Sequence, residues 1–282
     1  MKRLNLLWVA LLLLAACNKD PLPTDVASTT ERQNDGITYI MSTASDGSEL
    51  YFKVLSDNTA EVVGATEYFD GIEPPFNYGG VDVVIPSELN HNSQTYTIVG
   101  IGDYAFYRCW NMATVKVPTT VGYIGNHAFE TTQIQSIELN DGITRIGTSA
   151  FGSCDQLTSI ALGPLVTCIP SGAFYGCRSL TSITMHNVDT IKSSAFAYVT
   201  KLETIELPAT TKLIERAVFF QCFALKSVVC RAVTPPEFFN NGLGEDPFGD
   251  SPIQEIKVPA ESVDAYKAAD GWRARASRIV GM

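Results

Sequence analysis

The sequence has few basic residues and few histidines for its length. It contains 20 lysines and arginines against 30 aspartates and glutamates, three histidines, and a formal net charge of −10. A protein that binds a phosphate backbone normally presents a concentration of positive charge, which this composition does not supply. Nucleic acid is therefore not a predicted partner.

Motifs that carry catalytic chemistry are also missing. The sequence contains no G-x-S-x-G, no H-E-x-x-H and no glycine loop that could cradle a phosphate. Its histidines, His91, His127 and His186, fall in separate segments, so neither a His-based triad nor a His-rich metal site is predicted. We therefore predict a protein that is not an enzyme and that uses no cofactor and no metal.

No apolar run is long enough to cross a membrane as a helix, which takes about 20 residues. The predominantly apolar stretch Leu4–Leu14 follows a short positively charged start, which is typical of a secretory signal peptide. It leads into the letters LAAC, which end at Cys17 and resemble a bacterial lipobox. The resemblance implies removal of residues 1–16 and acylation of the Cys17 thiol. An ordinary signal peptide cut at a small-residue site is the alternative.

Residues 17–35 are polar and contain two prolines, so we predict a lipidated, flexible tether there. Loss of residues 1–16 would remove two basic side chains and bring the formal charge to −12. The lipid would be the only membrane attachment. The expected location is that of an outer membrane lipoprotein exposed at the cell surface.

One phrase recurs six times between residues 101 and 236, as in IGTSAFGSCDQLTSIAL from residue 146 and IPSGAFYGCRSLTSITM from residue 169. The copies begin at residues 101, 124, 146, 169, 191 and 214, which are 23, 22, 23, 22 and 23 residues apart. A fixed period of this length is the signature of a repeat architecture in which each unit stacks on the next.

Each copy has an apolar pattern that predicts one short strand and one tight return. The strand is expected where apolar residues follow an L-x-x-L-x-L pattern, because the final alternation buries one face. A segment rich in Gly, Ser and Asn follows, with room for about one helical or 3-10 turn. A phenylalanine expected in the core ends this segment in every copy: Phe106, Phe129, Phe151, Phe174, Phe196 and Phe219. The sequence thus predicts a leucine-rich-repeat solenoid of mostly short parallel β-strands.

These copies resemble the BspA-like leucine-rich repeat family of bacterial surface proteins, a Bacteroides-type family. The motif that carries the resemblance is I-G-x-x-A-F-x-x-C-x-x-L-x-x-I-x-L, which is close to complete in four copies. Segments 85–106 and 258–272 resemble the family's first full repeat and its C-terminal cap. The resemblance implies a surface protein that adheres to host or matrix proteins or to other cells.

The flanks of the six repeats are expected to close the ends of the solenoid. Residues 36–100 predict a β-rich N-terminal cap and a partial first repeat, with three strands and two hairpin turns within 36–68. Residues 237–282 predict an insertion loop, a further partial repeat and a C-terminal cap with a short helix over 261–269. Trp272 is expected to lie over the last repeat and seal it.

Four of the six copies carry a cysteine three residues after the phenylalanine: Cys109, Cys154, Cys177 and Cys222. A cysteine in that position fills a small interior space and offers a weak S–H donor. We predict that all six cysteines other than Cys17 are reduced and buried. A disulfide between Cys154 and Cys177, which belong to adjacent repeats, is the alternative.

Outward-pointing strand positions form the main candidate binding surface: Lys116, Ser136, Glu138, Ser159, Thr184 and Glu206. Exposed Ser and Thr also simply suit strands, so this surface has a purely structural explanation as well. Two further candidate patches are aromatic, namely Trp110 with Phe223, and Phe238 with Phe239. Packing against a neighbouring unit or cap is the alternative for both pairs.

The function predicted is a non-catalytic binding or adhesion module, monomeric, that presents its repeat surface to protein partners. A polysaccharide-capturing accessory lipoprotein, relying on Trp110 or Phe239, and a structural surface spacer are the alternatives. A glycosidase is not predicted, because Glu138 and Glu206 lie three repeats apart. At about 4.8 Å per strand this separates them by roughly 14 Å, beyond the roughly 5–9.5 Å of a catalytic carboxylate pair.

Overall fold

The computed structural model describes residues 26–44, 49–55, 58–64, 81–110, 112–239 and 246–282. The predicted signal peptide and Cys17 lie outside these residues. The description begins with four strands at the N-terminal end: β1 (Val26–Asn34), β2 (Ile37–Ala44), β3 (Glu49–Val54) and β4 (Thr59–Val63). They pair in antiparallel order, with Ile40 opposite Phe52 and Phe52 opposite Val62. The three strands expected within 36–68 are therefore confirmed.

Strand β1 is a departure from the sequence interpretation, which assigned residues 26–35 to the flexible tether. The strand pairs along its length with β2, from Ser28 opposite Thr43 to Asn34 opposite Ile37. Its mostly polar residues show no apolar alternation. β1 is an edge strand, and the backbone ladder with β2 is its main stabilisation. The tether prediction therefore applies at most to residues 17–25, which lie outside the described part of the chain.

A partial first repeat follows, with β5 (Val81–Val84), β6 (Glu88–His91) and β7 (Gln94–Ile101). Strand β6 pairs antiparallel with β7 across the turn at Asn92 and Ser93, while β4 pairs parallel with β7. Strand β7 thus joins the antiparallel cap to the parallel repeats. The expected partial unit is confirmed.

The repeats stack their strands in two parallel rows. The first row continues from β5 with the predicted strands: β8 (Met112–Lys116), β10 (Ser136–Glu138), β12 (Ser159–Ala161), β14 (Ser182–Thr184), β16 (Thr204–Leu207), β18 (Ser227–Cys230) and β20 (Glu255–Val258). The second row continues from β7 with short strands that the sequence did not predict. The first five contain the isoleucine that opens each repeat, and the last has Phe238 at that position: β9 (Tyr123–Ile124), β11 (Arg145–Ile146), β13 (Cys168–Ile169), β15 (Thr190–Ile191), β17 (Leu213–Glu215) and β19 (Glu237–Phe239). Equivalent residues pair, as Ile137 with Val115 and Ile146 with Ile124.

The third side of each repeat is a series of tight turns, in place of the helical or 3-10 turn expected there. Backbone bonds there run from one repeat to the next, as from Phe106 N to Ala128 O (2.7 Å) and from Phe129 N to Ala150 O (2.8 Å). Two residues in each return have positive φ, which interrupts any right-handed helix. In the fourth repeat these are Gly172 (φ 64°) and Gly176 (φ 70°), while Ser149 and Ser153 occupy the same positions in the third.

The phenylalanines predicted for the core form one continuous stack along the solenoid. Adjacent rings have centroids 5.2–5.4 Å apart and interplanar angles of at most 9°. The stack begins at Phe106 and ends at Phe248, one step beyond the sixth repeat. Each repeat is displaced from the previous one by the same step, so equivalent rings stack on one another. The predicted phenylalanine core is therefore confirmed as one continuous column.

The motif cysteines hydrogen-bond to the backbone of the preceding repeat. The thiol of Cys154 donates to Phe129 O (3.1 Å), and that of Cys177 donates to Phe151 O (3.0 Å). Where the seventh unit carries Ser251 instead, its hydroxyl donates to Phe219 O (2.5 Å). The position therefore takes a small side chain, which donates this bond at Cys154, Cys177 and Ser251, while Val199 fills the same position in the fifth repeat without a donor.

All six described cysteines are free thiols, but the expectation that all are buried is wrong for two of them. Cys109 and Cys168 are only half-buried. Cys109 belongs to the first full repeat, and Cys168 lies in the second strand row, where period-two alternation turns it partly outward. Burial raises the pKa of the Cys177 thiol and that of Cys222, the latter to about 12. These two thiols are therefore chemically quiet.

The C-terminal cap consists of a 3-10 turn (Ala260–Ser262), helix α1 (Val263–Ala268), a second 3-10 segment (Trp272–Arg278) and β21 (Ile279–Gly281). Strand β21 extends the first row by pairing parallel with β20. Trp272 is fully buried and its Nε1 donates to Pro236 O (2.8 Å). The predicted role of Trp272 in sealing the last repeat is confirmed.

Candidate functional site

The first strand row presents an open face whose outward positions are those expected from the sequence. In this row the apolar residue of each strand faces the core and its neighbours face outward, as Ile160 is buried between the exposed Ser159 and Ala161. All six candidate residues are exposed: Lys116, Ser136, Glu138, Ser159, Thr184 and Glu206. We call these six residues and their strands the strand face. The six side chains are spread along successive strands, so this face offers area.

Hydroxyls and ion pairs both occur on the strand face. Thr181 Oγ1 donates to Thr158 O (3.0 Å), which ties one repeat to the next just before the strands begin. Glu206 is paired with Arg231 of the following repeat, and both side chains are exposed. An exposed pair of this kind contributes little to stability. Both side chains are therefore available to pair with charged groups of a binding partner instead.

The structure does not bring the four candidate aromatic residues together. Trp110 (43% exposed) and Phe223 (57% exposed) occupy equivalent positions but stand in the first and sixth repeats. The same column between them contains Asp155 and Arg178, which form an ion pair (3.6 Å). Trp110 and Phe223 are therefore separate exposed residues.

Phe238 and Phe239 are adjacent in strand β19 and point to opposite faces of it. The ring of Phe238 lies 4.7 Å from that of Trp272 and 5.9 Å from that of Phe248, so it belongs to the C-terminal core. Phe239 points the other way and is 51% exposed. The prediction that Phe238 forms part of a surface patch is therefore wrong. Because side chains alternate along a strand, Phe238 faces the core and Phe239 faces outward.

A polar cleft of about 410 Å³ at the junction of the N-terminal cap and the first repeats was not anticipated from the sequence. Tyr123 OH donates to Glu61 Oε2 (2.7 Å), and Lys53 Nζ lies 3.9 Å from Glu61 Oε1. The Arg145 guanidinium lies over the Tyr123 ring (5.1 Å to its centroid). The ring itself packs over Gly100, where a Cβ would fall 2.0 Å from it. Residues from five strands or loops thus meet only after folding.

This cleft, which we call the junction cleft, is internally paired. Asp103 accepts hydrogen bonds from the Asn126 backbone N (2.6 Å) and from its Nδ2 (3.1 Å). Burial, and then the hydrogen bond to Glu61, raise the pKa of Tyr123 well above that of an ordinary phenol. Since its carboxylates already have partners, the junction cleft is best explained as the polar joint between cap and repeats.

The histidines lie apart, as the sequence indicated, and two of them have local partners. His91 closes β6, rather than lying in the turn expected there, and hydrogen-bonds to Thr29 (2.7 Å) and Glu31 (3.0 Å) of β1. His127 Nδ1 lies 2.6 Å from Glu130, and its ring stacks on Tyr104. Among the described residues no group of three or more His, Cys, Asp or Glu side chains converges to hold a metal ion.

The paired strand rows, the stacked phenylalanines and the 22–23-residue period define the class of leucine-rich-repeat proteins. The described residues contain no helix with the length and apolar character needed to span a membrane.

Within that class, the chain belongs to the family of BspA-type leucine-rich repeat regions. The family model matches six copies over residues 99–226 and 166–267, which together span more than half of the 282 residues. A search of curated proteins found no match to the sequence.

Solved structures of bacterial leucine-rich-repeat proteins have a similar fold. A leucine rich cell surface protein from Faecalibacterium prausnitzii is 20% identical, with a TM-score of 0.51 over 92% of this chain and 74% of that one. A leucine-rich repeat protein from Bacteroides ovatus is 21% identical, with a TM-score of 0.42 over 74% of this chain and 69% of that one. At such identities the likeness concerns the fold alone.

Proposed function

We propose that this protein is a non-catalytic cell-surface adhesion module whose strand face binds a protein partner. The observation that supports this most directly is the row of strands β8 to β20, which exposes alternate side chains along the repeats. Small hydroxyls and exchangeable charges on a firm backbone can adapt to an extended partner surface. An extended, open surface of this kind is how repeat proteins generally bind.

The proposed location is the outer membrane, with the lipid on Cys17 as the anchor. The LAAC sequence ending at Cys17 supports this, and a structurally similar protein is described as a cell surface protein. Eight residues separate Cys17 from Val26, the start of β1. At no more than about 3.6 Å per residue, the lipid would hold the N-terminal cap within roughly 30 Å of the membrane. The C-terminal cap would then project outward.

The proposal is tested by a binding screen against immobilised extracellular-matrix proteins. The wild type is compared with the triple variant Lys116→Ala/Glu138→Ala/Glu206→Ala, in which three exposed charges of the strand face are removed. Lys192→Ala/Glu237→Ala/Asp270→Ala is the matched control, because it also removes one basic and two acidic exposed side chains, none of them on the strand face.

We expect binding that falls at least about tenfold in the strand-face variant and is unchanged in the control. Equal binding by the strand-face variant and the wild type would remove this face from consideration. The absence of any binding at micromolar protein would favour a structural spacer instead.

A further inference from the structure

The turns on the third side of the solenoid contain a cleft of about 370 Å³ that the strand face does not explain. Three aromatic rings line it, one from each of three successive repeats. Tyr175 and Tyr198 have ring centroids 5.2 Å apart, and Tyr198 and Phe220 are 5.7 Å apart, with edge-to-face geometry in both pairs. Tyr175 is 42% exposed. We call this the return cleft.

Small residues leave the rings accessible. Ala197 and Ala217 line the floor of the return cleft. Gly249 also lines it, and a Cβ on that residue would approach the Phe220 ring to 3.1 Å. The glycine therefore leaves room for the ring. The rings in this way form a concave, partly apolar surface, which is the usual character of a ligand site.

A fixed hydrogen-bonding group stands beside the rings. Asp246 Oδ2 accepts a hydrogen bond from Arg275 Nη2 (2.6 Å), and its Oδ1 accepts one from Phe248 N (2.9 Å). Each oxygen retains a lone pair for a further donor. The ion pair with Arg275 also offsets the charge of Asp246, and the hydroxyl of Ser194 adds a second polar group to the lining.

We propose that the return cleft binds a neutral polysaccharide. A sugar ring has one face of C–H groups, which packs on aromatic rings, and a rim of hydroxyls, which hydrogen-bond to groups such as Asp246. The aromatic residues recur once per repeat at a spacing close to the length of one pyranose ring. The lining contains one carboxylate, Asp246, and one guanidinium, Arg216, so the cleft has no excess charge of one sign and favours a neutral over an acidic polysaccharide.

A peptide fits the return cleft less well than a glycan. The backbone along the cleft is already paired, since Gly176 N donates to Ala197 O (2.8 Å) and Tyr198 N donates to Phe220 O (2.8 Å). No free strand edge is therefore offered for β-augmentation. A proline-rich helix advances about 9 Å per turn, which does not match rings that recur at 5.2 and 5.7 Å.

The proposal is tested on an array of neutral oligosaccharides built from hexoses, pentoses and deoxyhexoses, with acidic glycans and poly-L-proline as additional probes. Tyr175→Ala is the main variant, because the side chain is exposed and its removal leaves the core intact. The double variant Tyr175→Ala/Tyr198→Ala removes two rings. Phe223→Ala is the matched control, since it removes an exposed aromatic residue outside the cleft.

We expect at least one neutral glycan to bind, with affinity about tenfold weaker in Tyr175→Ala and unchanged in Phe223→Ala. Binding should be insensitive to added salt, because the ligand is uncharged. The proposal is overturned if no neutral glycan on the array binds, if only an acidic glycan or poly-L-proline binds, or if Tyr175→Ala binds like the wild type. The strand-face triple variant should retain glycan binding, so this test stands apart from the adhesion proposal.

Discussion

The two ends of the solenoid are closed by different chemistry. At the C-terminal end, Trp272 and Tyr266 are fully buried and pack with Phe238 and Phe248 at ring distances of 4.7–6.0 Å. At the N-terminal end, antiparallel strands cover the first repeat, and the junction cleft joins them to it through hydrogen bonds around Glu61. The C-terminal cap depends on apolar burial, whereas the N-terminal joint depends on paired polar groups.

The difference reflects what each cap covers. The phenylalanine stack ends at Phe248, so the C-terminal cap must bury an exposed aromatic ring, and a tryptophan provides that area. The N-terminal cap instead continues the second strand row through β4 and β7, so backbone pairing closes the edge. We therefore expect substitutions to cost more at the C-terminal end.

The largest effect is expected for Trp272→Ala. Removing a fully buried tryptophan leaves a cavity at the end of the aromatic stack and should lower the free energy of unfolding by about 3–5 kcal/mol. Urea denaturation followed by circular dichroism measures the change. Trp110→Ala is the control, because Trp110 is 43% exposed and should change stability by less than about 1 kcal/mol. Equal losses from the two tryptophans would contradict the apolar account of the cap.

The next effect separates two hydrogen-bonded phenols, Tyr266 of the C-terminal cap and Tyr123 of the junction cleft. Tyr266 OH donates to Ala232 O (2.7 Å) and lies 3.1 Å from the Cys230 sulfur, so Tyr266→Phe leaves buried acceptors without a partner. We expect a loss of about 1–3 kcal/mol. Tyr123→Phe should cost less, about 0.5–1.5 kcal/mol, because Glu61 keeps Lys53 nearby. A larger loss of stability from Tyr123→Phe than from Tyr266→Phe would contradict the expectation that substitutions cost more at the C-terminal end.

The same phenols predict a fall in stability at alkaline pH. Burial first, and then their hydrogen-bonding partners, raise the pKa of Tyr123 and of Tyr266 in the folded protein above that of an ordinary phenol. A raised pKa means that the folded state holds the proton more tightly than the unfolded state. The contribution is therefore complete below about pH 10, the unfolded value, and is lost as the pH rises above it.

Thermal unfolding between neutral pH and pH 11 tests this expectation, with the double variant Tyr123→Phe/Tyr266→Phe as the comparison. The variant should be less stable at neutral pH but should lose less stability on going to alkaline pH. Parallel pH curves for the two proteins would show that these phenols do not determine the alkaline fall.

A smaller effect is expected in the middle of the solenoid, away from both caps. Gly172 has φ 64°, and a Cβ there would lie 2.9 Å from the Ser149 hydroxyl oxygen. Gly172→Ala should therefore cost about 1–2 kcal/mol. Gly122→Ala is the control, because its φ is not positive and the nearest atoms lie 4.0 Å away. Urea midpoints that are lowered equally by both changes would argue against left-handed strain as the cause.

The smallest effect concerns thiol accessibility. In the native lipidated protein, whose Cys17 thiol would be acylated, only Cys109 and Cys168 are expected to react with a thiol reagent, and slowly, since both are half-buried. Unfolding should release all six. The double variant Cys109→Ser/Cys168→Ser should abolish the reaction of the native protein. Rapid labelling of Cys177 in the native protein would contradict its burial in the core.

The sequence predicted the repeats more completely than the ends. Period alone located the first strand row, the stacked phenylalanines and the cysteine position, because these signals recur in six, six and four copies and one misleading residue cannot hide them. The second strand row, with two or three residues per strand, was not predicted. At the ends each signal occurs once. Strand β1 is polar, so its pairing with β2 leaves no periodic apolar trace, and Phe238 could not be assigned to core or surface before its neighbour Trp272 was placed.

What the sequence by itself determined is the solenoid, its register and its buried column, because a 22–23-residue period forces equivalent residues to stack. Tertiary structure alone decided the clefts. The junction cleft joins Glu61 with Tyr123 and Arg145, and the return cleft joins Tyr175 with Asp246. Glu61 and Asp246 lie outside the six repeats, and Tyr123 and Arg145 occupy one repeat position but differ in type, so no periodic signal marks them. They meet only because stacking and the caps bring distant parts of the chain within contact distance.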